Sequence, residues 1–302
     1  MKRIYTYTIH EKNNNNTIKA FLEEQGYSHA VLVHLKQTEY GITLNGAWAY
    51  VTSRLHTGDT LICTLSEETS SANIVPAPLP LHIIYEDEDI LIVDKPADMP
   101  VHPSLHNYNN TLANAVAWYY QSQGIAYTFR CINRLDRDTS GLVLLAKNML
   151  SSAILSRQMV NREIRRTYLA IADGITKDSG TINAPIGRVS DSVITRCIDL
   201  EHGETAITHY QKIAVHPMLP LTLLALQLDT GRTHQIRVHM QSIGHPLIGD
   251  FLYHPDTTQI KRQALHSCQL KFRHPITKAE LVFQAPLPAD MYHIFPINEF
   301  SL

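Results

Sequence analysis

The sequence has no paired cysteines, no long apolar run and no excess of positive charge. Its four cysteines, Cys63, Cys131, Cys197 and Cys268, lie far apart without a CxxC spacing. That speaks against a zinc knuckle and against a disulfide framework, and leaves reduced, buried thiols as the simpler expectation. No stretch approaches the ~18 apolar residues of a membrane span, and the opening MKRIYTYTIHEKNNNN lacks a signal-peptide core, so a cytoplasmic protein is expected. With 26 Lys+Arg against 28 Asp+Glu the formal charge is -2, and any nucleic-acid site must therefore be a local patch. No internal repeat is visible. What is present is a chain of 302 residues, 44% of them hydrophobic, which is enough for one large domain and a smaller one.

Residues 4–9 alternate as a short strand, and the Asn run at 13–16 breaks the chain before Thr17, a helix N-cap residue. A helix through IKAFLEEQ to Gly26, a second after Ser28, a hairpin at Asn45-Gly46 and a strand in HTGDTLICTL complete a module over residues 1–66. The Pro-bearing stretch 67–81 reads as a linker. Residues 82–302 form the main domain, opening with two strands around an acidic turn, Glu86 to Asp89, whose charges a solvated turn explains. Strands LVLLAK, TYLAIA, LTLLALQL and ELVFQA, with helices around 112–121 and 149–160, follow in irregular order. This predicts an α+β domain on a mixed, largely antiparallel sheet with flanking helices.

Three segments gather chemistry-bearing side chains. In CINRLDRDTSGLVLLAK, Asp136 and Asp138 sit in a short polar loop before an apolar strand. An Asp-rich turn accounts for the composition; a carboxylate able to attack an anomeric carbon is the functional alternative. In DTGRTHQIRVHMQSIGHPLIGD, Ile236, Met240 and Ile243 recur at helical spacing, with Thr233 placed to cap and Gly244 to terminate. His234 and Arg237 then share a face near the N-terminus, where the helix dipole opposes a cation, so Arg237 calls for an anionic partner. An ordinary ion pair would satisfy it equally. His234 and His239, five apart, fall on different sides of a helix, and no metal site is expected. In REIRRTYLAIADG, a strand would turn Leu169 and Ile171 one way and Arg166, Tyr168 and Ala170 the other. Tyr168 beside Arg166 is suited to stack on a base and hold phosphate, and Arg157, Arg162, Arg165 and Arg166 form the strongest local run of positive charge.

Together these segments resemble the RluA-type family of pseudouridine synthases. NRLDRDTSG is similar to the family's central motif and GRTHQIRVHMQSIGHPLIGD to its later signature, with DKPADMPVHPS before them and ALHSCQLKFRHPIT and APLP after, in order over residues 83–290. The resemblance implies a pseudouridine-synthase-like fold and isomerisation of uridine to pseudouridine in ribosomal or transfer RNA, without a cofactor. It implies Asp136 as the catalytic aspartate, Tyr168 as the active-site tyrosine and Arg237 as the basic partner of the aspartate. Arg134, Arg166 and His234 are the expected RNA contacts. Such a cation would keep a carboxylate ionised where burial alone favours protonation. The chain departs from the family at Asn133, where His is usual, at Asp98, where Gly is common, and at Arg166, where Lys often precedes the tyrosine by two. Residues 17–65 are similar to an S4-like RNA-binding module, although HAVLVHLKQ offers only Lys36 as a fixed cation. The rival readings are a noncatalytic RNA-binding protein of the same fold and a carbohydrate-active hydrolase using Asp136 and Asp138 as a carboxylate pair.

Overall fold

The computed structural model describes residues 1–190, 192 and 194–297, so the expected end of the main domain at residue 302 lies outside the described residues. The chain opens with β1 (Lys2–Thr8), α1 (Ile18–Glu24), α2 (His29–Gln37), β2 (Ile42–Leu44), β3 (Ala47–Trp48) and β4 (Thr60–Ser66). The hydroxyls of Thr17 and Ser28 cap the two helices by accepting from the amides of Ala20 and Val31. Asn45 and Gly46, both at positive φ, turn the chain between β2 and β3. The four strands pair antiparallel in the order β1-β4-β2-β3 and pack Tyr5, Leu61 and Cys63 against Ile18, Leu22, Val31 and Leu35.

From His82 the chain continues through β5 (His82–Glu86), β6 (Ile90–Lys95), α3 (Leu112–Gln121), β7 (Ser140–Ala146), α4 (Met149–Val160) and β8 (Arg165–Asp173). Then come β9 (Ser179–Asn183), β10 (Ile186–Arg188), β11 (Arg196–Ile198), β12 (Ile207–Val215), β13 (Leu221–Leu228), α5 (Gln235–Ser242), β14 (Leu265–Arg273), β15 (Glu280–Gln284) and α6 (Ala289–Tyr292). The large sheet runs β5-β6-β7-β14-β8-β13-β12-β9, with β15 added on β14, and its one parallel contact is β7 against β14. The α+β, largely antiparallel expectation is met. At the parallel contact Gly141 (φ 110°) faces the Ser267 backbone so closely that a Cβ would lie 2.3 Å from its carbonyl oxygen, so only glycine lets the two strands meet there.

The acidic turn corrects the sequence reading. Asp89 is buried rather than solvated, because its carboxylate is where the N-terminal module meets the main domain. It accepts from Arg3 Nη2 at 2.7 Å and Tyr5 Oη at 3.3 Å on one side, and from Asn148 Nδ2 at 2.9 Å and Ser151 Oγ at 3.2 Å on the other. Arg3 also pairs with Glu88, Lys147 with Glu86, and His274 with Asp87. Around this polar centre the module's core continues into α4 through Leu150 and Ile154. Residues 67–81 carry no helix or strand, yet they are strapped down: Ser70 and Ser71 accept from the amides of Tyr127 and Phe129, and Asn114 Nδ2 donates to the Val75 carbonyl at 2.7 Å.

Removing one partner of a buried ion pair leaves the other desolvated and uncompensated. Asp89→Ala is expected to lower stability by about 3–5 kcal/mol in urea unfolding. It should also split one transition into two, as the module detaches from α4; an unchanged midpoint would show that the apolar contact alone holds the module.

Candidate active site

The loop before β7 is pinned from several directions. Asn133 is buried, donates to the Leu142 carbonyl and accepts from the Leu144 amide, so it ties the loop's start to β7. Lys95, at the end of β6, has no exposed surface and donates to the carbonyls of Pro96, Met99 and Arg137 at 2.8, 2.9 and 2.9 Å. Burial pushes this ammonium down to about 7 against the pull of Asp138 and Asp136. Asp98 holds φ 58°, a left-handed conformation that glycine adopts without strain, and this is the position where the resembled family commonly has glycine. Asp138 is buried and paired with Arg137 Nε at 3.2 Å. Asp136 alone of the two aspartates lines the adjoining cavity of about 500 Å³. Asp136 and Asp138 therefore do not face this cavity together as a hydrolase-type carboxylate pair.

Facing Asp136 is the first turn of α5. Thr233 does not cap this helix, contrary to the sequence reading. The N-cap is His234, in a left-handed conformation (φ 57°) and without a side-chain cap. The tight entry is secured instead by Gln235, whose Oε1 accepts from Thr230 Oγ1 and from the Arg232 amide. That geometry turns His234 and Arg237 toward the loop. Arg237 Nη1 donates to Asp136 Oδ2 at 3.0 Å, and His234 Nε2 lies 3.9 Å from the same oxygen. Arg237 has a second anion, Asp250, which takes its Nε at 2.7 Å and its Nη2 at 2.8 Å. The Tyr253 ring stands 5.1 Å from the guanidinium centre. Burial works against the charge on Arg237, but Asp250 and Asp136 more than offset it and hold the guanidinium protonated. Burial also favours the neutral form of His234, with Asp136 opposing; its Nδ1 is 3.0 Å from the Tyr253 hydroxyl.

Tyr168, on β8, lines the same cavity and is only 4% exposed. The face of β8 that alternation assigned to polar residues is in fact the floor of the main core, so the ring sits in a dry setting and burial raises its phenol pKa. Arg166 lines the cavity, its Nη2 3.4 Å from the Thr230 carbonyl and its buried Nε without a hydrogen bond. Arg134 is exposed at the rim. All six residues singled out from the sequence thus meet at one cavity. Of the wider arginine run, Arg157 lies against Gly26 of the N-terminal module, whereas Arg162 is 3.8 Å from Asp229, which itself lines the cavity. Sequence reasoning missed Lys95 and Asp250. Both stand inside quoted motifs, DKPADMPVHPS and HPLIGD, yet neither carries a periodicity that links it to Asp136.

Among the described residues the four cysteines are free, and no helix is long and apolar enough to cross a membrane. The family model described as RNA pseudouridylate synthase matches residues 89–242, which include Asp136, Tyr168 and Arg237. The chain is 41% identical over 276 residues to the uncharacterized RNA pseudouridine synthase YjbO of Bacillus subtilis, covering 91% of this chain and 96% of that protein. It is 37% identical to the ribosomal large subunit pseudouridine synthase D of Escherichia coli, over 77% of this chain and 74% of that one. Among solved structures, the human RNA pseudouridylate synthase domain containing 1 superposes with a TM-score of 0.58 at 27% identity, over 70% of this chain and 84% of its own. The chain belongs to the RNA pseudouridylate synthase family and isomerises uridine to pseudouridine in RNA.

Proposed function

We propose that Asp136 is the nucleophile of this isomerisation, with Arg237 as the cation that aims it and Tyr168 as the surface on which the base lies. The observation that carries this reading is the Asp136 carboxylate at the cavity, held by a buried guanidinium through one oxygen, with a buried tyrosine ring lining the same space. A uridine flipped out of its stack, at a cost of a few kcal/mol, enters the cavity. The carboxylate takes part in breaking the bond from C1′ to N1. The uracil turns while held, C5 joins C1′, the proton on C5 leaves to solvent and N1, now free of the sugar, takes one up. Atoms are rearranged and none is added, so the reaction calls for no cofactor. Arg134 at the rim, with Arg166 and His234 deeper in, supplies local positive charge or hydrogen bonds for the RNA backbone and base, as a chain of formal charge -2 requires.

The substrate in this reading is structured ribosomal or transfer RNA in the cytoplasm, and the name of the Escherichia coli relative directs the first assay to large-subunit ribosomal RNA. Residues 1–66 act as an S4-like RNA-binding module, 67–81 as a linker and 82–302 as the catalytic domain. The capped helix pair followed by a small antiparallel sheet supports the first of these assignments.

Tritium release from RNA labelled at uridine C5 tests the nucleophile. Asp136→Asn should abolish release from an RNA that the wild type turns over, while RNA affinity changes little. Full turnover by the variant would remove the assignment, and binding without release by the wild type would favour a noncatalytic RNA-binding protein. Arg237→Ala would leave the fully buried Asp250 carboxylate without its counter-charge, so the variant should lose about 3–5 kcal/mol in chemical denaturation as well as its activity.

A further inference from the structure

We propose that Asp250 is a positioning residue for the reaction: by holding the Nε and Nη2 edge of Arg237, it confines the guanidinium to one oxygen of Asp136 and leaves the other free to react. This inference rests on Asp136 being the reacting carboxylate.

A guanidinium facing a single carboxylate favours the two-bond fork, with a parallel N–H to each oxygen. Were Arg237 to meet Asp136 that way, both oxygens of the nucleophile would be committed. Here the fork is given to Asp250, through Nε to Oδ2 at 2.7 Å and Nη2 to Oδ1 at 2.8 Å. Two N–H groups on Nη1 and the outer one on Nη2 are left, and of these Nη1 makes the hydrogen bond to Asp136, at Oδ2 and 3.0 Å. His234 Nε2, at 3.9 Å, faces that same oxygen. Lys95 from β6, Tyr168 from β8 and Tyr253 from the loop after α5 are each influenced by the Asp136 carboxylate. Among the described residues the hydrogen bond to the Asp136 carboxylate is the one at Oδ2, and none is made to Oδ1.

The clamp is itself held rigid. Asp250 has no exposed surface, and its Oδ1 also accepts from the amides of Leu252 and Tyr253 at 3.1 and 3.3 Å. The Tyr253 and Phe251 rings flank the guanidinium centre at 5.1 and 5.8 Å. Turning the Nε and Nη2 edge of Arg237 toward Asp136 would break both hydrogen bonds to Asp250.

These atoms separate a clamping role from a loop-supporting one. Asp250→Asn keeps the oxygen that serves Leu252, Tyr253 and Nη2, but sets an N–H donor against Nε. The kcat for tritium release is expected to fall by about 10- to 100-fold with little change in KM for the RNA. Asp250→Glu keeps the charge and shifts the carboxylate by one methylene, and should fall comparably; it carries the test should the Asn variant fail to fold. In an Arg237→Lys background there is no fork to aim, so adding Asp250→Asn should cost less than about threefold. All assays are run below the lowest melting temperature of the set. Equal losses in both backgrounds, full activity of the Glu variant, or a change confined to KM would each overturn the clamp. Activity surviving Asp136→Ala would instead remove the nucleophile assignment, a failure distinct from an unaffected Asp250 variant in an enzyme that depends on Asp136.

Discussion

The guanidinium of Arg237 is shared between two carboxylates of different standing, one fully buried and one facing the cavity. Taking a single buried anion out of water is unfavourable, and so is burying a lone cation. Asp250 and Arg237 offset each other's desolvation through two charge-assisted hydrogen bonds, and Nη1, on the far side of the group from Nε, donates to Asp136. Much of the surrounding structure serves this arrangement. The left-handed His234 and the Gln235 side chain set the start of α5, the aromatic rings flank the cation, and the Lys95 ammonium draws three carbonyls together beneath the aspartate loop.

The same logic recurs away from the cavity. Asp89 is another buried carboxylate, satisfied by side chains from both the N-terminal module and α4. Its hydrogen bonds, with the Arg3–Glu88 pair beside them, give a directional lock to a docking surface whose core is apolar. Residues 1–66, placed in this way, are held against α4, and the strapped residues 67–81 shorten their freedom further.

Legibility along the chain followed the range of the interaction involved. The caps at Thr17 and Ser28, the Asn45-Gly46 turn and the alternation of β8 are local, and they are met in the structure. The expectation failed where a distant partner decided the outcome. Glu86 to Asp89 looked like a solvated turn because nothing nearby in sequence tells of Arg3 or Asn148. Thr233 looked like a helix cap because the hydrogen bond from Thr230 to Gln235 depends on how the loop folds back. Tyr168 was read as lying on a polar face, yet that face of β8 lies over the main core. The resemblance of motifs pointed to Asp136, Tyr168 and Arg237; it did not convey how a second aspartate holds the arginine.

By itself the sequence determined the helix caps, the strand periodicities, the α+β class and the family motifs, because these depend on residue type and spacing within short windows. Only the tertiary structure decided which carboxylate lines the cavity. Asp136 and Asp138 are two residues apart and of the same residue type, but the loop turns Asp138 back to Arg137 and leaves Asp136 facing Arg237, 101 residues along the chain. The charge environment of each is the sum of partners brought from β6, β8, α5 and the loop beyond it. No local pattern encodes that sum, since it exists only once the core has closed and excluded water.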